Sequence, residues 1–376
     1  MRTAAVIGGG IGGLSAAIGL RRAGWRVVVL ERAPRFGEVG AGITVWPNAL
    51  RALEVLGLDL TSLTERQAAG RVRDHRGRWL VRVDGSRFER ALGKPILGIA
   101  RAELLDLLRG AVPDEDLRSG VTVTGVTEAG RVSWDGGGMD TDLVVAADGI
   151  SSAVRRALWP DHPGPVYTGH TAFRALLDDP GSADWSGILG PGTEVGAVPL
   201  AGGRLYWYLS CSAPQGARYD SPGAHLRRRY AGWPEPLPTL LDATPDEAYL
   251  HHDLFALRTP LPTYVRGRIA LLGDAAHAMP PYLGQGGCQA IEDAVVLAAA
   301  TVAHPDVEQA LAAYDRERRP RSQAIARRSW QVGRFGAHLT NPLAVGARNA
   351  LFRLTPPAMS VHATTAAARW TPPTLP

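Results

Sequence analysis

The sequence predicts an α/β fold: an N-terminal βαβ domain, an interleaved antiparallel sheet, and helices at the C-terminal end. Three observations predict it. The chain opens on a buried-type strand, a glycine-rich turn, a helix and a second strand, Thr3 to Arg32. From about Tyr167 to Leu257 it changes to short alternating segments punctuated by Pro, Gly and Asp, the texture of an antiparallel sheet. A further buried-type strand, 268–273, then leads into a second glycine-rich turn and two long helices.

In the first unit, Ala4 to Ile7 reads as strand, Gly8-x-Gly10-x-x-Gly13 as turn, Leu14 to Ala23 as helix and Arg26 to Leu30 as strand. This is the start of a Rossmann unit. Gly8 permits the tight turn, Gly10 lets backbone approach a pyrophosphate, and Gly13 lets the helix lie close on the strand. The helix N-terminus then offers free N–H groups and a positive dipole end to the diphosphate. Glu31 follows Gly13 by eighteen positions, where a carboxylate can accept hydrogen bonds from a ribose diol.

Residues 37–44 form a glycine-rich loop suited to lying against a flat ligand, and Pro47 to Leu56 a helix. Arg71 to Val83 reads as a hairpin turning at Arg76-Gly77. Ile99 to Leu108 is an amphipathic helix with Arg101 at its start. An arginine there does little for the helix dipole, so a phosphate or carbonyl ligand is its more informative partner. Strands are expected at 121–126 and 131–134, and 142–147 is a buried strand ending in Asp148-Gly149 before a short helix that carries Arg155.

The antiparallel wall comprises 171–177, 194–200, 204–211 and 249–257. Arg174, Arg204, Tyr206, Trp207 and Tyr208 suit an aromatic or anionic ligand; alternation puts Tyr206 and Tyr208 on one face and Trp207 on the other. After strand 268–273 come Asp274 to Cys288, helices at 289–303 and 307–332, and an amphipathic stretch at 342–354. The Pro- and Thr-rich tail beyond it is expected to be disordered.

With 376 residues, 45% hydrophobic and 20% charged, the chain has the make-up of an ordinary globular protein with room for two domains. The net charge of +5 is almost wholly arginine, Lys94 being the single lysine. No basic run is interleaved with aromatics, which excludes a nucleic-acid groove, and only Lys94 could serve Schiff-base chemistry. Cys211 and Cys288 are too few for a disulfide framework or a metal site. The longest apolar run, Ala294 to Ala303, is half a membrane span. No integral membrane segment and a cytoplasmic location are therefore expected.

These motifs resemble a known family. The glycine triplet with Glu31-Arg32, the Asp148-Gly149 segment, and Gly273-Asp274-Ala-Ala-His277 with Pro281, Gly284, Gln285 and Gly286 are similar to single-component FAD-dependent aromatic hydroxylases of the p-hydroxybenzoate hydroxylase type. The wording of 284–294 and of 314–321 is nearest the branch holding salicylate hydroxylase, 3-hydroxybenzoate 6-hydroxylase, urate hydroxylase and zeaxanthin epoxidase. The resemblance runs from residue 3 to about 355.

It implies a discontinuous FAD-binding domain (1–74, 98–165, 266–332), a substrate domain (75–97, 166–265) and a C-terminal helical segment and tail (333–376). FAD would be held by Gly8, Gly10, Gly13, Glu31, Arg32, Arg101, Asp148, Gly273, Asp274, Gly284, Gly286 and Gly287. NADH or NADPH would visit without a fingerprint of its own, and O2 would be activated as a flavin C4a-hydroperoxide. The implied activity is hydroxylation of an aromatic or electron-rich small molecule.

Gly284 to Gly287 would supply backbone donors to the reduced ring. Pro281 would shape the pocket, with Tyr282 and Tyr206 as candidate polar groups and Arg174, Arg204 and Tyr208 as substrate contacts. His277 reads as structural rather than as a proton carrier. Flavin-dependent epoxidation or oxidation, and a catalytically idle FAD-binding accessory protein, remain open, as does monomer against homodimer.

Overall fold

The computed structural model describes residues 1–37, 41–67, 69–182 and 185–376; positions 38–40 of the expected glycine-rich loop 37–44 lie outside the described residues, and its last three positions belong to strand Gly42–Val45. The expected opening unit is present as strand Thr3–Ile7, helix Ile11–Arg22 and strand Arg26–Leu30. The two strands are parallel, with Thr3 opposite Arg26 and Ile7 opposite Leu30. Strand Leu143–Ala146 pairs parallel on the other side of Thr3–Ile7, and Ile269–Leu271 lies beyond it. Short edge strands Val265–Arg266 and Leu117–Arg118 complete a six-stranded sheet. Its central strands are apolar apart from Thr3 and Arg26 at their starts, as a sheet covered on both faces requires.

The carboxyl ends of its four central strands run into Gly8, Glu31, Ala147-Asp148 and Leu272-Gly273-Asp274. All four motifs therefore meet along one edge of the sheet, the edge at which parallel α/β sheets bind ligands.

Helix Gly286–Ala303 packs against Ile11–Arg22, where small residues allow the approach: a Cβ on Gly19 would come within 3.0 Å of Ala298. This helix begins three residues before the expected 289, because Gly286 and Gly287 already belong to it. It is long and apolar enough to cross a membrane, yet 72% of it is buried inside the protein, so it is a core helix.

The second sheet has seven strands in the order Leu250–Ala256, Val166–Asp178, Arg204–Ser212, Thr193–Leu200, Gly187–Gly190, Ala69–Asp74 and Trp79–Asp84. Only the contact of 187–190 with 69–74 is parallel. The hairpin 69–84 belongs wholly to this sheet, so a domain cut between 74 and 75 would fall inside it. Trp207, Phe173, Leu209 and Cys211 pack on the back face against helices Pro222–Arg229 and Leu237–Ala243. Tyr206 and Tyr208 take the front face, as alternation requires.

Two expectations need correction. Ile99 and Ala100 end a strand, Leu97–Ala100, and the helix starts at Arg101; pairing of Ile99 with Ile43 overrides the helical periodicity. The tail is ordered where disorder was expected. Pro357–Thr365 is helical, Trp370 and Leu375 pack on the main core, and the Arg51 guanidinium donates to the carbonyls of Ala368 and Trp370. A Pro-rich composition does not exclude order when aromatic and leucine side chains find a core to join.

Candidate active site

The glycine turn is shaped by contact. Gly8 has φ +105°, and a Cβ there would lie 2.4 Å from the Ala147 carbonyl oxygen; on Gly13 it would lie 1.9 Å from that of Gly8. Around Gly10, by contrast, a Cβ would meet nothing within 4 Å. No side chain caps the helix that starts at Ile11, and no acid stands in its first turn. That leaves backbone donors and the positive helix end facing open space, the requirement for a bound diphosphate.

Glu31 reaches back over the turn, accepting from the Gly9 N–H at 2.7 Å and the Ala33 N–H at 2.8 Å. Arg32, the next residue, is exposed. Asp148 accepts from the N–H groups of Ala153 and Val154 through Oδ2, while its Oδ1 is buried and has no partner among the described residues. Buried Arg155 ties this segment to the next one, donating to the carbonyls of Ala275 at 2.8 Å and Ile150 at 2.5 Å. Asp274 is exposed on the same edge, directly after Gly273, whose φ of +61° favours glycine.

The second glycine turn repeats the logic. Gly284 has φ +60°, Gly286 has nothing within 4 Å of a Cβ, and the helix Gly286–Ala303 has no side-chain cap. Gly287 packs closely on Ile43, where a Cβ would come to 3.0 Å of its Cδ1. Open space, uncapped helix ends and a half-satisfied carboxylate thus fit an extended dinucleotide carrying a diphosphate at one end and a ring at the other.

A buried charge network, which sequence reading missed, holds these parts in place. Arg318 donates to Asp293 Oδ1 at 2.7 Å, Glu292 Oε2 at 2.6 Å and Gln289 Oε1 at 2.8 Å, with all three side chains in the core. Asp293 Oδ2 accepts from the Gly273 N–H at 2.9 Å and from His277 Nε2 at 2.6 Å. Arg321 and Asn48 also donate to Glu292. Burial pushes the Asp293 carboxyl up, but His277 and Arg318 outweigh it and hold it below the usual range. His277 therefore anchors the Gly273 turn, in keeping with its structural reading.

The front face of the second sheet meets the nucleotide half around Tyr206. A Cβ on Gly42 would lie 2.4 Å from the Tyr206 side chain, and Ala100, Val198 and Leu200 share its apolar contacts. Tyr208 crosses Gly196, where a Cβ would come within 2.5 Å of its ring, and donates to Glu194 Oε1 at 3.1 Å. Burial drives the Glu194 carboxyl up to about 7, the Tyr208 hydrogen bond only partly opposing it. Burial likewise lifts the Tyr206 hydroxyl to about 12 against the pull of Arg174 and Arg101. Glu194 escaped the sequence reading because a lone acid in a strand carries no signal of its environment.

Tyr282 comes from the turn Pro281–Leu283 and joins this face from the other side. It packs on Gly333 and hydrogen-bonds His338 Nε2 at 2.7 Å; burial, then Glu194, raises its hydroxyl. His338 stacks on His170 at 3.9 Å, and burial holds His170 down to about 3, so it stays neutral. Pro281 itself is exposed beside them.

Arg174 shares the face and lies 3.2 Å from His252 Nδ1. Arg204 does not converge with these groups in the same way: its guanidinium is engaged by Glu103 at 2.7 Å and by the Ala201 carbonyl, bracing the sheet against helix Arg101–Gly110.

Residues 1–329 match the family model described as an FAD binding domain. The aurachin C monooxygenase/isomerase of Stigmatella aurantiaca is 38% identical over 94% of both chains, and the FAD-dependent urate hydroxylase of Mycolicibacterium vanbaalenii is 34% identical over 86% of both. The chain belongs to this FAD-dependent monooxygenase family. Among solved structures, Klebsiella pneumoniae HpxO complexed with FAD and uric acid superposes with a TM-score of 0.91 at 29% identity, over 98% of this chain and 96% of that one. The monooxygenase thus has FAD as its cofactor, and the open edge of the parallel sheet has the form that FAD requires.

Proposed function

We propose that this monooxygenase uses NADH or NADPH and O2 to hydroxylate a flat, electron-rich aromatic that carries an acidic O–H or N–H. Substrate C–H, O2, NAD(P)H and a proton would yield C–OH, water and NAD(P)⁺. FAD, when bound, supplies the hydride acceptor and the ring at which oxygen is activated. The chain's own residues bind, orient, exclude water and handle one proton.

The observation that carries this reading is the pairing of Glu194 with Tyr208 on the face that Tyr282 joins, two residues before the Gly284–Gly287 turn. A carboxyl raised to about 7 by burial is poised to take a proton near neutral pH. Removing it from a phenol or ring N–H makes the ring electron-rich when an electrophilic oxygen is delivered. Tyr206 and Val198 provide apolar contact for a ring, Tyr208 holds the Glu194 carboxylate, and Arg174 offers a cation to the anion that forms. Urate, named in a relative's activity, is a flat molecule with acidic N–H groups.

The test is a panel of hydroxylated and N-heteroaromatic compounds scored for stimulated NADH or NADPH oxidation, with product mass measured under labelled oxygen. Incorporation of one labelled atom into product is expected. Stimulated oxidation that yields only hydrogen peroxide with every compound would contradict the proposal.

A further inference from the structure

The helix Pro342–Leu354 carries apolar residues on its outward side as well as at Val345 and Phe352 on its inward one. Its inward side carries Val345, Arg348 and Asn349, all buried, and the Arg348 guanidinium donates to the Gly336 carbonyl at 2.7 Å and to Asn349 Oδ1 at 2.8 Å. Its outward side carries Leu343, Gly346, Ala347, Ala350, Leu351 and Leu354, every one exposed. That spacing, i, i+3, i+4, i+7, i+8, i+11, is a continuous helical stripe. Leu343 is 85% exposed and Leu354 81%. Globular helices turn such a stripe inward, so a stripe this complete facing outward implies a partner. Phe335 before the helix and Met359 after it are 59% and 63% exposed.

Charge says which partner. Residues 331–376 contain four arginines and no Asp or Glu. The helix lies against strand Trp79–Asp84, and Pro357–Thr365 lies against that strand and helix Gly85–Leu92. The segment 69–92 adds seven arginines to three acids, and one of those acids, Asp74, has its side chain buried between Arg78 and Arg353. The helices cover the side of the hairpin that carries Val72, Val81 and Val83, while Arg71 and Arg82 alternate onto the other side. The exposed cations beside the stripe are Arg76 at the hairpin turn, Arg334 beside Phe335 and Arg353 on the helix itself. A second copy of the chain would set these cations against themselves, which opposes self-association through this face. An anionic bilayer suits both components, its acyl chains taking the leucines and its headgroups the arginines.

We infer that the face formed by helices Pro342–Leu354 and Pro357–Thr365 with the hairpin 69–84 docks on an anionic phospholipid surface. The helix lies in the interface plane and spans nothing. The inference is independent of which substrate the active site takes.

The test is flotation of the FAD-loaded full chain with vesicles of phosphatidylcholine alone or mixed with phosphatidylglycerol. Association with the mixed vesicles, weakened by salt, is expected. The double variant Leu343→Ser/Leu354→Ser should keep its FAD and its unfolding temperature yet partition about tenfold less or weaker still. Arg76→Glu with Arg334→Glu should also weaken binding, and only to the anionic vesicles.

No association with anionic vesicles, equal association with neutral ones, or binding unchanged by the serine pair would each overturn the inference. So would a serine-sensitive dimer in light scattering without vesicle association.

Discussion

The two halves of the active site handle buried polarity in opposite ways. On the nucleotide side the charges at the heart of the core are matched: Arg318 faces Asp293, Glu292 and Gln289, and Asp293 in turn holds Gly273 and His277. The groups left open along the ligand edge are the backbone at Gly10 and Gly286 and the Oδ1 of Asp148. On the sheet side Glu194 has one neutral hydroxyl as its partner, and burial leaves its carboxyl near 7. Matched charges fix geometry and resist titration, whereas an under-matched carboxyl keeps a proton to exchange. One half is a frame and the other is the place where chemistry can be adjusted.

The comparison breaks most severely at its frame. Replacing Arg318 by Met removes the cation that two buried carboxylates share, leaving Glu292 to Arg321 and Asp293 to His277, a loss on the order of 3–5 kcal/mol. A large drop in the unfolding midpoint is expected, and an unchanged midpoint would show that the network does not hold the fold. Because Asp293 titrates below its ordinary range, its contribution is full above that range and is lost as pH falls through it. Wild-type stability should therefore decline on acidification more than that of an Asp293→Asn variant.

Gly10→Val is the next largest effect. The side chain enters open space, so the protein should fold normally and yet retain no FAD, read from its absorbance after desalting. Stoichiometric flavin in this variant would displace the diphosphate from the first turn.

Glu194→Gln should lower kcat by about 10²–10⁴ with FAD content intact. In the wild type the rate should rise through pH about 7 as the carboxylate forms, and that limb should vanish in the variant. A surviving limb assigns the proton to another group. Tyr208→Phe removes the one hydrogen bond that opposes the burial effect on Glu194, so the same limb should move to higher pH.

Arg204→Ala should be the mildest change. A partly exposed pair with Glu103 is worth about 0–1 kcal/mol, and the substrate KM should hold. A tenfold rise in KM would return Arg204 to the substrate contacts that the sequence suggests.

Much of this was legible without coordinates. The strand, turn, helix, strand and Glu31 follow one another at spacings that only a few local geometries satisfy, and positive φ at Gly8, Gly273 and Gly284 writes itself into composition. Period-two alternation separated Tyr206 and Tyr208 from Trp207 because side-chain direction in a strand is local. The start of helix Arg101–Gly110 was not legible, since whether Ile99 pairs with Ile43 is settled across more than fifty residues.

The sequence by itself determined the nucleotide turns, the strands 171–177, 194–200 and 204–211 with their alternation, and the FAD family, because each rests on local geometry and the spacing of motifs. Only the tertiary structure decided which polar groups frame the site and which can act. Desolvation sums over elements distant in the chain: Arg318 and Glu292 are matched inside the core, Arg204 is drawn to Glu103, Glu194 is left with a tyrosine, and the stripe from Leu343 to Leu354 faces outward.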